Sequence, residues 1–153
     1  MALNTTPGPA CESLCSAVEA DAYHDSRGNS ARWAVLDQFR KEQLLRQAYD
    51  RLYGDYASQW PDDAEFGAGD ALGTIPARVR DACALLALYA LEAPLDAPPS
   101  TAPQVIEKTV GPLTTKYAQA ATIQRRTFPD VARMVAPYLV KRAAAYSAKL
   151  VRS

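Results

Sequence analysis

Apolar residues recur at helical intervals along most of the chain, and one stretch alternates instead. In "DQFRKEQLLRQAYDRLYGDY", Leu45, Ala48, Tyr49, Leu52 and Tyr56 share a stripe with charge opposite, which predicts an amphipathic helix that ends or bends near Gly54. "TIPARVRDACALLALYALEA" predicts a second. Pro76 suits its first turn, Val79, Cys83, Leu86 and Ala90 share a face, and Leu85, Leu88, Tyr89 and Leu91 spread apolar surface round its second half. That half is expected at the centre of a bundle or against another subunit. A short helix is expected in "SAVEADAYHDSRGN", where Ser16 and Glu19 stand at capping-box spacing, Val18, Ala22 and Tyr23 share a face, and Gly28 is a natural stop. A fourth, in "RRTFPDVARMVAPYLV", starts near Pro129 and is interrupted by Pro137.

The alternating stretch is "VIEKTVGPLTTKYAQ". Val105, Glu107 and Thr109 alternate with Ile106, Lys108 and Val110; after a Gly111-Pro112 reversal, Leu113, Thr115 and Tyr117 alternate with Thr114 and Lys116. Period two on both sides of a turn predicts a β-hairpin. "ASQWPDDAEFGAGDALGT" has no period and reads as a surface loop pinned by Trp60 and Phe66, while "APLDAPPSTAP" is a stiff proline linker. The expected fold is therefore mainly α: a small bundle of three to five helices with one inserted β-hairpin at about 105–117. Residues 1–12 are expected to be a flexible arm, 13–140 a single helical domain, and 141–153 a basic terminal helix or tail.

Composition narrows the class. Hydrophobic residues make up 48% and charged residues 22%, which is globular. The longest apolar run, Ala82 to Leu91, is too short to span a bilayer, and no basic-then-apolar leader opens the chain, so no membrane partner and a reducing cytoplasm are expected. Cys11 and Cys15 have no other cysteine nearby in sequence, Cys83 reads as a small core residue, and His24 is the single histidine, so no metal is expected. His24 and Asp25 are placed on the polar side of their helix. Phosphate loops, nucleophile elbows and zinc motifs are missing, which argues against an enzyme and against a cofactor.

Charge is the most informative bulk property. The formal total is zero, yet residues 1–103 carry 8 Lys/Arg against 15 Asp/Glu, a net of −7, and residues 104–153 carry 9 against 2, a net of +7. Such an acidic front and basic back suit head-to-tail contacts between copies, or an acidic partner such as nucleic acid. For single-stranded DNA, the C-terminal third offers Lys116, Tyr117, Arg125, Arg126 and Phe128 as basic and stacking groups.

Six pieces in register, "SAVEADAYHDSRGN", "KEQLLRQAYDRL", "QWP", "IPARVRDACALLALYAL", "VGPLTTKYA" and "FPDVARMVAPYL", make residues 13–140 resemble a family of small proteins from tailed bacteriophages. That family is often labelled DnaT-like single-stranded-DNA-binding and looks like head-tail connector (adaptor, head-completion) proteins. The resemblance implies a virion structural protein in the neck, assembled in the host cytoplasm. About twelve copies would form a ring beneath the portal protein, extending the channel for packaged DNA and docking a stopper or tail-completion protein. The alternative is a single-stranded-DNA-binding protein. On the connector reading three groups make contacts. The hairpin residues Val105, Ile106, Lys108, Val110, Gly111, Pro112, Leu113, Lys116 and Tyr117 meet a neighbouring subunit or the tail. The acidic loop, Asp62, Asp63, Glu65 and Asp70, does the same, and the basic segment Lys141, Arg142, Lys149 and Arg152 faces the portal.

Overall fold

The computed structural model describes residues 3–69, 73–96 and 125–140. Among these the chain forms five α-helices and no strand: α1 (Ala17–Ser26), α2 (Ser30–Ala34), α3 (Gln38–Tyr56), α4 (Ala77–Glu92) and α5 (Pro129–Val135), with 3-10 turns at Ala57–Gln59 and Ala136–Tyr138. The protein is mainly helical, a small bundle, as the periodicity predicts. The hairpin expected at 105–117 lies outside the described residues.

Local chemistry fixes most helix starts. The predicted capping box opens α1: Ser16 Oγ accepts from the Glu19 amide at 3.3 Å, and the Glu19 carboxylate accepts from the Ser16 amide at 2.8 Å. Gly28, at φ 73°, supplies the left-handed turn beyond the helix end. Asp37 caps α3 by accepting from the Arg40 amide at 2.7 Å. Pro76 precedes α4, Pro129 occupies the first turn of α5, and α3 runs unbroken through Gly54.

Helix α4 is the hub, packing against α3, α5 and α1. Val79, Cys83, Leu86 and Ala90 are buried there together with Leu44, Leu45, Ala48 and Leu52 of α3 and Val131 and Val135 of α5. Each fully buried aliphatic side chain contributes about 2 kcal/mol of transfer free energy, so this seam is the main source of stability. The loop after α3 is tied down at both expected aromatics. Trp60 is buried and donates to Ala68 O at 3.0 Å, and the Phe66 ring sits 5.2 to 5.9 Å from those of Trp60, Tyr53 and Tyr49. Gly67 is required there, because its φ of 89° disfavours a side chain and Leu14 occupies the space a Cβ would need.

Before α1, Glu12 N donates to Asn4 O at 2.8 Å, and Cys11, Leu14 and Cys15 are buried in the core. One expectation is corrected. His24 is not on a polar surface but fully buried. α1 turns Ala17, Ala20 and His24 inward and leaves Val18 75% exposed, because two alanines at i and i+3 let its backbone approach α4 closely.

The most polar buried feature is Arg51, whose side chain is 6% exposed. Its guanidinium donates to Asp55 at 2.7 Å, to Asp96 at 2.8 Å, to Leu95 O at 3.2 Å and to Arg126 O at 2.8 Å, beneath the Phe128 ring. Asp96 also accepts from Arg125 at 3.1 Å. Positions 96 and 125 are therefore neighbours in space, and one side chain ties α3 to both.

Candidate nucleic-acid interface

A groove of about 610 Å³ runs between α1, α4 and α5. Its floor is the stripe of α4 at i, i+3, i+7 and i+11, namely Arg78, Asp81, Leu85 and Tyr89; Tyr23 and Arg27 flank it from α1, Arg133 and Met134 from α5. Three arginines and two tyrosines thus share one concavity with two acids, Asp81 and Asp130.

The aromatic groups are held for stacking. Tyr89 and Phe128 lie 5.4 Å apart with ring planes 17° from parallel, and the Arg126 guanidinium sits 5.1 Å from the Phe128 centroid. Arg27 lies 5.3 Å from the Tyr23 centroid. Both Tyr23 and Tyr89 have phenol pKa values raised above the ordinary value, chiefly by burial, so they stay neutral and can donate hydrogen bonds at physiological pH. A neutral phenol adds no negative charge beside the Arg27 guanidinium.

The arginines differ in how far they are already engaged. Arg133 pairs with Asp130 one turn away, and Arg125 is bound to Asp96. Arg27 and Arg78 have no carboxylate within ion-pair distance among the described residues. A second groove of about 300 Å³ shares Tyr23, Arg27 and Asp81 with the first and continues towards the Arg80–Glu19 pair and Cys15. The described residues elsewhere carry an excess of acids, so this face is where unpaired positive charge and stacking rings coincide.

Of the residues predicted from sequence, Asp62, Asp63 and Glu65 are exposed on the loop after α3, away from this groove. Asp70, the hairpin residues Val105 to Tyr117 and the basic residues Lys141, Arg142, Lys149 and Arg152 lie outside the described residues. Within the proposed basic and aromatic set, Arg126 and Phe128 do meet, whereas Arg125 is turned to Asp96 and Asp55. Sequence reasoning missed Tyr23, Arg27, Arg78, Tyr89 and Arg133. The spacing of Arg78, Asp81, Leu85 and Tyr89 on one helix stripe was the available signal, masked by the apolar run that overlaps it.

No curated protein and no solved structure matches the chain. A family model does, over residues 1–153, under the description "Putative DnaT-like ssDNA binding protein". The chain belongs to that DnaT-like family.

Proposed function

We propose that the protein binds single-stranded DNA in the groove between α1, α4 and α5, without catalysis. The observation that carries this reading is the stacked Tyr89–Phe128 pair, flanked by Arg126, at the edge of a groove holding Arg27 and Arg78, which meet no carboxylate among the described residues. Single-strand binding needs both parts: rings on which any base can stack, and cations that follow the phosphates. The family description points the same way. The test is fluorescence anisotropy of a labelled oligothymidylate across a salt series. Affinity should fall as salt rises, with a log–log slope of about −0.7 per phosphate contacted. Absence of any salt-sensitive binding near physiological ionic strength would overturn this reading.

A second reading, the phage head-tail adaptor ring beneath a portal, is favoured by a different observation. Val35 and Phe39, four residues apart around the start of α3, are 80% and 67% exposed, and the charge of the chain divides into an acidic front and a basic back. Large apolar side chains left in water beside segregated charge suit contacts between copies. Mass photometry with and without the portal discriminates it: a ring supports the adaptor, and a strict monomer that ignores the portal removes it.

A further inference from the structure

We infer that Asp81 gives the groove a base preference, its carboxylate accepting hydrogen bonds from the pairing edge of guanine and disfavouring thymine; this deepens the single-strand reading and rests on it. Three acids border the two adjoining grooves. Glu19 is engaged by Arg80 and by the Ser16 amide and hydroxyl, and Asp130 is engaged by Arg133. Asp81 lines both grooves and, among the described residues, receives no hydrogen bond and no ion pair. It is left so in cationic company. Arg78 stands one turn earlier on the same stripe of α4, and Arg27 borders both grooves from α1, yet neither pairs with it. A half-buried carboxylate that no protein donor serves keeps its acceptor capacity for a ligand.

In a site for a polyanion that charge also sets an orientation. Phosphates are repelled from the floor at Asp81 and drawn to the exposed guanidiniums of Arg27 and Arg78, which leaves the base edges to face the carboxylate. A carboxylate only accepts, and its two oxygens match two adjacent N–H groups. Guanine presents such a pair, the ring N1–H and the N2 amine. Thymine offers a single N3–H between two carbonyls that repel the carboxylate, while adenine and cytosine offer one amine beside a ring-nitrogen acceptor and fall between. Tyr89 lies two turns further along α4, about 12 Å along the axis, so the base that stacks there is not the one that Asp81 meets.

The experiment measures fluorescence anisotropy of the full-length protein with three labelled strands: oligothymidylate, the same strand carrying isolated guanines, and that strand with hypoxanthine, which lacks the N2 amine, in place of guanine. Wild type should bind the guanine strand about tenfold more tightly than oligothymidylate, with the hypoxanthine strand between them. Asp81→Asn should bring the guanine and thymine strands to within about twofold of each other, weakening the first and strengthening the second, because an amide matches the N3–H and O4 of thymine. The salt slope should stay at the wild-type value, since the phosphate contacts are untouched. A merely structural role for Asp81 would instead weaken all three strands alike. Equal wild-type affinity for the three strands, or a guanine preference that survives Asp81→Asn, would overturn the inference and leave the single-strand reading standing. Failure of every strand to bind would remove both. The wild-type comparison of guanine with hypoxanthine and thymine decides the matter even if the variant fails to fold.

Discussion

Helix α4 has two working stripes, about a third of a turn apart, and they obey different rules. Along one, Val79, Cys83, Leu86 and Ala90 are at most 8% exposed and meet aliphatic partners from α3 and α5. Along the other, Arg78, Asp81, Leu85 and Tyr89 line an open groove with half-buried rings and a guanidinium that meets no carboxylate among the described residues. The first stripe lowers the free energy of the fold. The second leaves polar groups facing water, which costs the fold little because an exposed guanidinium keeps its hydration. If the proposed DNA groove is right, stability and recognition are separable on a single helix, and substitutions on each stripe should report on one property and not the other.

The largest effect should come from the inner stripe. Leu86→Ala is expected to destabilise the protein by about 3 kcal/mol, through lost transfer free energy and the cavity left behind. Urea denaturation should show a lower midpoint at unchanged m, while DNA affinity of the folded fraction stays at the wild-type value. Loss of affinity in fully folded protein would break the separation of the two stripes.

Next comes Arg51, which joins the end of the seam to the ends of the 96-to-125 junction. Arg51→Ala leaves the Leu95 and Arg126 carbonyls without their shared donor. Asp96 is 71% exposed and can be hydrated instead, so the cost should be about 2 kcal/mol rather than that of a fully buried pair. Arg51→Lys should recover little, because an ammonium lacks the planar fork that serves two carboxylates and two carbonyls together. Hydrogen exchange distinguishes this from Leu86→Ala: protection should fall first at 93–96 and 125–132, not throughout α3 and α4. Uniform loss of protection would mean that Arg51 is ordinary core.

These two residues also mark what the sequence made legible. The inner stripe of α4 and most of the α3 stripe were readable because period 3.6 is imposed directly by burial, and the Ser16–Glu19 box because capping depends on a fixed spacing. Arg51 was hidden. It occupies a position that periodicity assigns to a solvated face, and its partners come from residues 95, 96 and 126, whose proximity only the tertiary fold creates. The groove was hidden for the same reason, since Tyr23, Tyr89 and Arg133 belong to three helices. His24 shows a different failure: on a short, alanine-rich helix two faces have nearly equal hydrophobicity, and close backbone approach rather than side-chain polarity selects the buried one.

His24 supplies a pH-limited effect. Its ring is fully buried, 4.7 Å from that of Trp33, and neither ring nitrogen has a hydrogen-bond partner among the described residues. Burial lowers its pKa below the ordinary histidine value, opposed by the Ala84 main chain and by Asp21 and Asp25, and assisted by Lys41. A depressed histidine pKa means that the unfolded chain takes up the proton first. Stability is fully present above about pH 6.5 and declines as pH falls below it towards the folded-state pKa. The carboxylates held below their ordinary values, Glu12, Glu19 and Asp96, lose their contribution only at still lower pH, so the window from about 6.5 to 5 belongs to His24. Denaturation midpoints between pH 8 and 5 should fall for wild type and stay flatter for His24→Phe, which keeps the ring against Trp33. Equal slopes would show that the imidazole finds a proton partner after all.

The smallest stability change is expected on the outer stripe and at Arg27, which flanks the same groove at the end of α1, and it carries the sharpest test. Arg78→Ala and Arg27→Ala remove cations that hold no carboxylate, so each should shift stability by less than about 0.5 kcal/mol. Both should nonetheless weaken oligothymidylate binding at low salt and make its log–log salt slope shallower, by about 0.7 for each phosphate contact removed. Tyr89→Leu should act differently. It keeps apolar volume against Phe128 but removes a stacking surface, so affinity should drop at every salt concentration by about tenfold with the slope unchanged. The pattern matters more than either size. If the arginine variants change the slope and the tyrosine variant does not, cation and ring contribute separately in one groove. If all three bind and titrate with salt like wild type, the outer stripe is ordinary solvated surface, and the exposed Val35 and Phe39 around the start of α3 become the place to look for what this protein holds.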